Sequence, residues 1–133
     1  MLLYKDERMT ILAIAIGGAL GSVSRYLVAV RLYGWLGLGL PYGTLTVNVA
    51  GSFLLGLVLA LVEERGAFGP ETRSLITIGF LGGMTTFSTF IYEGWNYTRE
   101  GELLLAGVYA ALSLVGAFLA FTAGHALVVA LER

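Results

Sequence analysis

The sequence predicts an all-α membrane protein, a single bundle of four transmembrane helices with almost no chain left over for a water-soluble part. Three observations predict it. The chain is 57% hydrophobic and only 13% charged, with a mean hydropathy of +0.83, which lies outside the usual range of water-soluble domains. Its apolar residues gather into four stretches, residues 9–33, 41–62, 74–97 and 103–131, each long enough to cross about 30 Å of hydrocarbon at about 1.5 Å per residue. None of them shows the alternation of a barrel strand, so backbone polar groups in lipid must be satisfied within helices. A multi-pass place in the cell membrane, inner or plasma, follows.

The first stretch is too long, and too polar in its second half, for a cleaved signal peptide, so it is read as a retained helix. The connections are residues 34–40, the charged run from Glu63 to Glu71, and Thr98 to Glu102. All are short, so consecutive helices are antiparallel neighbours. Lys5, Arg8, Arg65, Arg73 and Arg133 fall on the side of the termini, against Arg31 and Arg99 on the other. This is a modest bias toward an N-terminus-inside arrangement, and a count so nearly balanced permits insertion both ways. Net charge is −1 and the cations are scattered, which leaves no basic surface for a nucleic-acid backbone. Without cysteine there is no thiolate site, and the single His125 excludes a multi-histidine centre within one chain. His125 reads as an interfacial residue, and Trp35, Tyr92, Trp95 and Tyr97 as aromatic belts at helix ends.

In the first helix Gly17 and Gly21 stand at the small-xxx-small spacing of close helix packing, as do Gly79 and Gly83 in the third. Arg25, one turn beyond Gly21 and well inside the span, must face water or a partner. It either attracts anions in a polar cavity, or snorkels, or pairs with a carboxylate such as Glu93. On the second helix Thr44, Asn48 and Ser52 recur every fourth residue as one polar stripe. The stripe either holds helices together by hydrogen bonds or lines a path for a desolvated anion. Asn48 is its best donor, with two amide hydrogens and no charge.

The third helix carries the most distinctive run, Gly79-Phe80-Leu81-Gly82-Gly83-Met84-Thr85-Thr86-Phe87-Ser88-Thr89-Phe90. Two glycines followed by two β-branched threonines are poor helix material, so the helix is expected to break from Gly82 to Thr86, mid-membrane. Irregular backbone at that depth belongs beside a cavity or inside protein. Beyond it Phe87 and Phe90 share a face, with the hydroxyls of Ser88 and Thr89 between them. The positive edge of an aromatic ring can meet an anion that has lost part of its water.

With these residues in view the chain resembles the Fluc, or CrcB, family of small fluoride channels over essentially its whole length. The resemblance is carried by the run from Gly17 to Tyr26, by Gly43-Thr44-Leu45-Thr46-Val47-Asn48-Val49-Ala50-Gly51-Ser52-Phe53, and most specifically by the run from Gly82 to Phe90. It implies an antiparallel homodimer in dual topology, two fluoride pores, and one structural sodium ion at the dimer centre. It further implies Phe87 and Phe90 as ring-edge fluoride ligands, Asn48 as a donor that rotates with them, and Arg25 in an aqueous vestibule. Gly82 and Thr85 would give the sodium their backbone carbonyls. On the fourth helix Tyr109 and Ser113 match a polar track of the family, whereas Ala117 stands where some members carry another hydroxyl.

The resulting expectation is a passive, electrogenic fluoride export channel, not an enzyme, that protects the cell from fluoride. A proton-coupled drug exporter would need a membrane-embedded carboxylate for exchange, and the one candidate, Glu93, lies near the end of the third helix. An intramembrane hydrolase would need a base near a serine, which neither Lys5 nor His125 provides. A purely structural membrane subunit is the remaining alternative.

Overall fold

The computed structural model describes residues 2–37 and 39–131, with side chains from Glu7 onward. Arg133 and the side chain of Lys5, both counted in the charge bias, lie outside the described residues. The helices are α1 (Leu2–Leu36), α2 (Tyr42–Arg65), α3 (Pro70–Ser74), a π-helical stretch (Leu75–Leu81), α4 (Gly82–Met84), α5 (Phe87–Arg99) and α6 (Leu103–Leu131). Among the described residues there is no strand. Four spans are long and apolar enough to cross a membrane: Glu7–Leu36, Tyr42–Arg65, Pro70–Arg99 and Leu103–Leu131.

Helices run further into the connections than hydropathy alone indicates. Glu63, Glu64 and Arg65 continue α2 because charged straight-chain residues are good helix formers at a wet end. Gly66, at φ 59°, then closes the helix in the left-handed region, its N–H bonded to the Val62 carbonyl at 3.0 Å. Pro70 opens the next helix at a position where its missing N–H costs nothing.

Two seams hold the bundle. Along the first, α1 lies on the π-helical stretch and α4, and along the second α2 lies on α6. Glycines set both distances. A Cβ at Gly21 would collide with the Phe80 carbonyl oxygen, and one at Gly17 with that of Leu75; one at Gly83 would lie 2.6 Å from the Gly18 carbonyl oxygen. The two glycine pairs read from sequence therefore face each other, and the backbones approach as lipid-embedded helices require. On the second seam Gly56 meets the Phe121 carbonyl and Gly124 that of Phe53. Few side chains are fully buried, chiefly Val47, Ala60, Leu81, Met84, Phe90, Tyr109 and Val128, while Ile16, Leu20, Leu114 and Phe118 stay exposed. Such a surface is suited to hydrocarbon and would aggregate in water.

Because Gly21 meets backbone, Gly21→Ala should destabilise the bundle by about 1–3 kcal/mol, the usual range for overpacking. Gly107, where an added methyl would meet nothing within 4 Å, is the control. Equal melting temperatures of Gly21→Ala and Gly107→Ala in detergent would contradict this packing.

The interruption of the third span is narrower than expected. Gly82 and Gly83 stay helical, with Gly82 at φ −64° and ψ −35°, and only Thr85 and Thr86 are extended. Neighbours explain the difference: Gly83 is pressed against Gly18, which holds it in the helix, while the extended threonines take a conformation that β-branched residues favour. Thr85 and Thr86 sit midway along Pro70–Arg99. Here the span also changes neighbours, since the part before the break lies on α1 and the part after it, α5, lies on α6.

Candidate functional site

Two extended residues in lipid free several backbone groups, and each freed group needs a partner. Local hydroxyls meet part of the need. Thr85 Oγ1 donates to the Leu81 carbonyl at 2.9 Å, which also accepts the Thr85 N–H at 3.0 Å. Thr86 is the N-cap of α5: its Oγ1 accepts the Thr89 N–H at 3.2 Å and donates to Thr89 Oγ1 at 3.1 Å, with Ser88 Oγ at 3.3 Å.

The rest comes from α2. Asn48 grips the Thr86 backbone on both sides of its Cα, Nδ2 donating to the carbonyl at 2.9 Å and Oδ1 accepting the N–H at 2.8 Å. Gly51 makes room for this approach, since a Cβ there would strike the Thr85 methyl. The polar stripe on α2 is thus divided among three tasks. Asn48 pins the break, Ser52 Oγ turns back to the Asn48 carbonyl at 2.7 Å, and Thr44 Oγ1 donates to Glu93 at 2.9 Å. The Asn48 amide gives one hydrogen to backbone and keeps a second.

Beside the break lies a cavity of about 270 Å³, whose lining includes Asn48, Ser52, Thr86, Phe87, Phe90 and Ser113. The Phe87 and Phe90 rings stand 5.5 Å apart at 47°. Phe90 is 7% exposed and Phe87 67%, so one ring closes the cavity from within and the other stands at its open side. Ser113 is 5% exposed, and its Oγ has no hydrogen-bond partner among the described residues. It stands one helical turn from Tyr109 on α6, so the two hydroxyls share a face. Ala117 continues the same wall without a polar group.

Behind Phe90 stands Tyr109, fully buried, its ring 5.3 Å away. Its hydroxyl donates to Glu93 Oε2 at 2.6 Å, while Oε1 accepts from Thr44 and, at 3.2 Å, from Tyr33. Sequence analysis missed this hub, having weighed Glu93 as an ion-pair partner for Arg25 or as a proton carrier. The one legible sign was a carboxylate in an apolar span with tyrosines on other helices. Three neutral hydroxyls satisfy it instead, and Arg25 is half-buried with neither a hydrogen bond nor an ion pair among the described residues. Arg25 does not line the cavity, and neither do Ser88 and Thr89, which stay at the N-terminus of α5. His125 Nε2 lies 3.1 Å from Glu63 at the exposed ends of α6 and α2, far along the chain from the break.

A helix interrupted mid-span beside a cavity lined by aromatic rings, hydroxyls and one amide is the arrangement of a membrane protein that passes small ions. Residues 12–125 match the family model described as CrcB-like protein, Camphor Resistance (CrcB). The chain belongs to this family. It is 49% identical over 107 residues to the fluoride-specific ion channel FluC of Geobacter metallireducens, covering 80% of this chain and 86% of the relative. The FluC of Hahella chejuensis is 46% identical over 114 residues, covering 86% and 90%. That of Geobacter sulfurreducens is 45% identical over 122 residues, covering 89% and 98%. With four spanning helices, the protein is a multi-pass protein of the cell membrane.

Proposed function

We propose that the protein is a fluoride-selective channel, not an enzyme, through which fluoride leaves the cell passively and electrogenically, relieving fluoride toxicity. The observation that carries this reading is the cavity beside the helix break, lined by the Phe87 and Phe90 rings, Asn48, Ser52 and Ser113 and by no Lys or Arg. Neutral donors and ring edges hold an anion firmly enough to replace water, yet release it. A fixed cation there would trap it. The name its relatives carry supports the same ion.

The working unit in this reading is an antiparallel homodimer in dual topology. Its support is the exposure of Phe87 next to buried Phe90, and of Gly82 at the break, because a second copy would cover both. A sodium ion at the two-fold axis fits the donors that the break leaves. The Thr86 N–H, which would close on the Gly82 carbonyl in a continuous helix, goes to Asn48; the Thr89 N–H, which would close on Thr85, goes to Thr86 Oγ1. Gly82 and Thr85 therefore each keep a carbonyl without its helical donor, and two copies would present four such oxygens. Bound there, the ion would supply fixed positive charge and hold the copies together.

The test is fluoride release from liposomes containing only the purified protein. Release should require valinomycin as a potassium shunt and should far exceed chloride release. Release at full speed without the shunt would identify a coupled exchanger instead, and absence of any release a structural subunit.

A further inference from the structure

We infer that Asn48 and Thr86 are the positioning residues that create the cation site, although neither side chain supplies an oxygen to the ion. The inference rests on the sodium reading given above. It starts from the fate of two backbone N–H groups. In hydrocarbon an amide hydrogen must find an acceptor, and the nearest for residue i is the carbonyl of residue i−4. For Thr86 that acceptor is Gly82, and for Thr89 it is Thr85, the same two carbonyls that would face the ion.

Each N–H is diverted by a side chain. Asn48 Oδ1 takes the Thr86 N–H at 2.8 Å, and Thr86 Oγ1 takes the Thr89 N–H at 3.2 Å. Without these acceptors the cheapest way to satisfy both donors is to carry the helix through Thr85 and Thr86, which consumes both carbonyls. The break is therefore maintained by competition between a side chain and a carbonyl for one hydrogen, twice over. Asn48 wins its competition because its Nδ2 also holds the carbonyl of the same residue at 2.9 Å and because Gly51 lets the threonines come close.

Asn48 also lines the anion cavity with Phe87, Phe90 and Ser113. One side chain thus shapes both sites, and the shape of the cavity and the availability of the carbonyls change together. This ties the anion path to the cation without any contact between the two ions.

The experiment measures thermal unfolding of the purified protein in detergent, in sodium against N-methyl-D-glucamine, for each variant separately. The readout is the sodium-dependent rise in melting temperature, which a uniform loss of stability does not move. Wild type should show a rise. In Asn48→Leu and Thr86→Val the acceptors are gone, and the sodium concentration giving half of the rise should increase roughly tenfold or more. Thr86→Ser keeps an acceptor at the same place and should respond as wild type does. If Asn48→Leu does not fold, the Thr86→Val and Thr86→Ser pair decides alone. An unchanged sodium response in Thr86→Val, or its loss in Thr86→Ser as well, overturns the inference. A wild type with no response to sodium, by contrast, overturns the cation reading itself.

Discussion

Replacing Phe90 by Ile is expected to lower fluoride release from liposomes by roughly 100-fold, the scale seen when one preorganised electrostatic donor is removed from a desolvated site. Phe90 is the buried ring between Phe87, at 5.5 Å, and Tyr109, at 5.3 Å, and it forms part of the cavity wall. Isoleucine keeps much of the bulk but has no positive ring edge, so the wall survives and the attraction for an anion does not. Phe87→Ile should act in the same direction. Since Phe87 is largely exposed in one chain, its effect should need the assembled form. The variants should still elute as wild type on size exclusion. Unchanged flux, or loss of the assembled species before any loss of flux, would reduce the rings to packing.

The second large effect is expected on stability. Glu93→Ala would leave the hydroxyls of Tyr33, Thr44 and Tyr109 without their shared acceptor, and Thr44 and Tyr109 are buried. Hydrogen bonds to a charged group contribute about 1.5–3 kcal/mol each, and the half-buried position of the carboxylate discounts the sum to roughly 3–5 kcal/mol. Glu93→Gln keeps one carbonyl oxygen for Tyr33 and Thr44 and should lose much less. Adding Tyr109→Phe and Thr44→Val to Glu93→Ala removes the stranded hydroxyls and should recover part of the loss. Melting temperatures across this set decide the matter. Additive losses, with no recovery in the combined variant, would show that the four groups do not act as one network.

What could be read from sequence, and what could not, divides along chain separation. Hydropathy places four helices because each span must satisfy its own backbone, a local demand. Spacing likewise exposes Gly17 and Gly21, and Gly79 and Gly83, as packing faces, though not that these faces meet. The break is legible from Gly82-Gly83-Met84-Thr85-Thr86 but drawn too wide, because propensity counts the glycines with the threonines. The deciding contacts are Gly83 with Gly18 and Thr86 with Asn48, the latter 38 residues distant. Glu93 is the clearest failure. Its partners Tyr33 and Thr44 lie 60 and 49 residues away, and opposite charge made Arg25 the obvious candidate where three hydroxyls sufficed.

The change of neighbours at Thr85 and Thr86 bears on how the protein is made. As the chain emerges from the ribosome, α1, α2 and the third span up to Met84 have their mutual contacts available as soon as they reach the bilayer. Helix α5 does not. Its main helical neighbour is α6, the last element synthesised, so between those moments α5 is joined to the rest chiefly by its tether through Thr86 to Asn48 and by Glu93 to Tyr33 and Thr44. Those side-chain bonds do not involve α6, so they are available to hold α5 near α1 and α2 before the last helix is made.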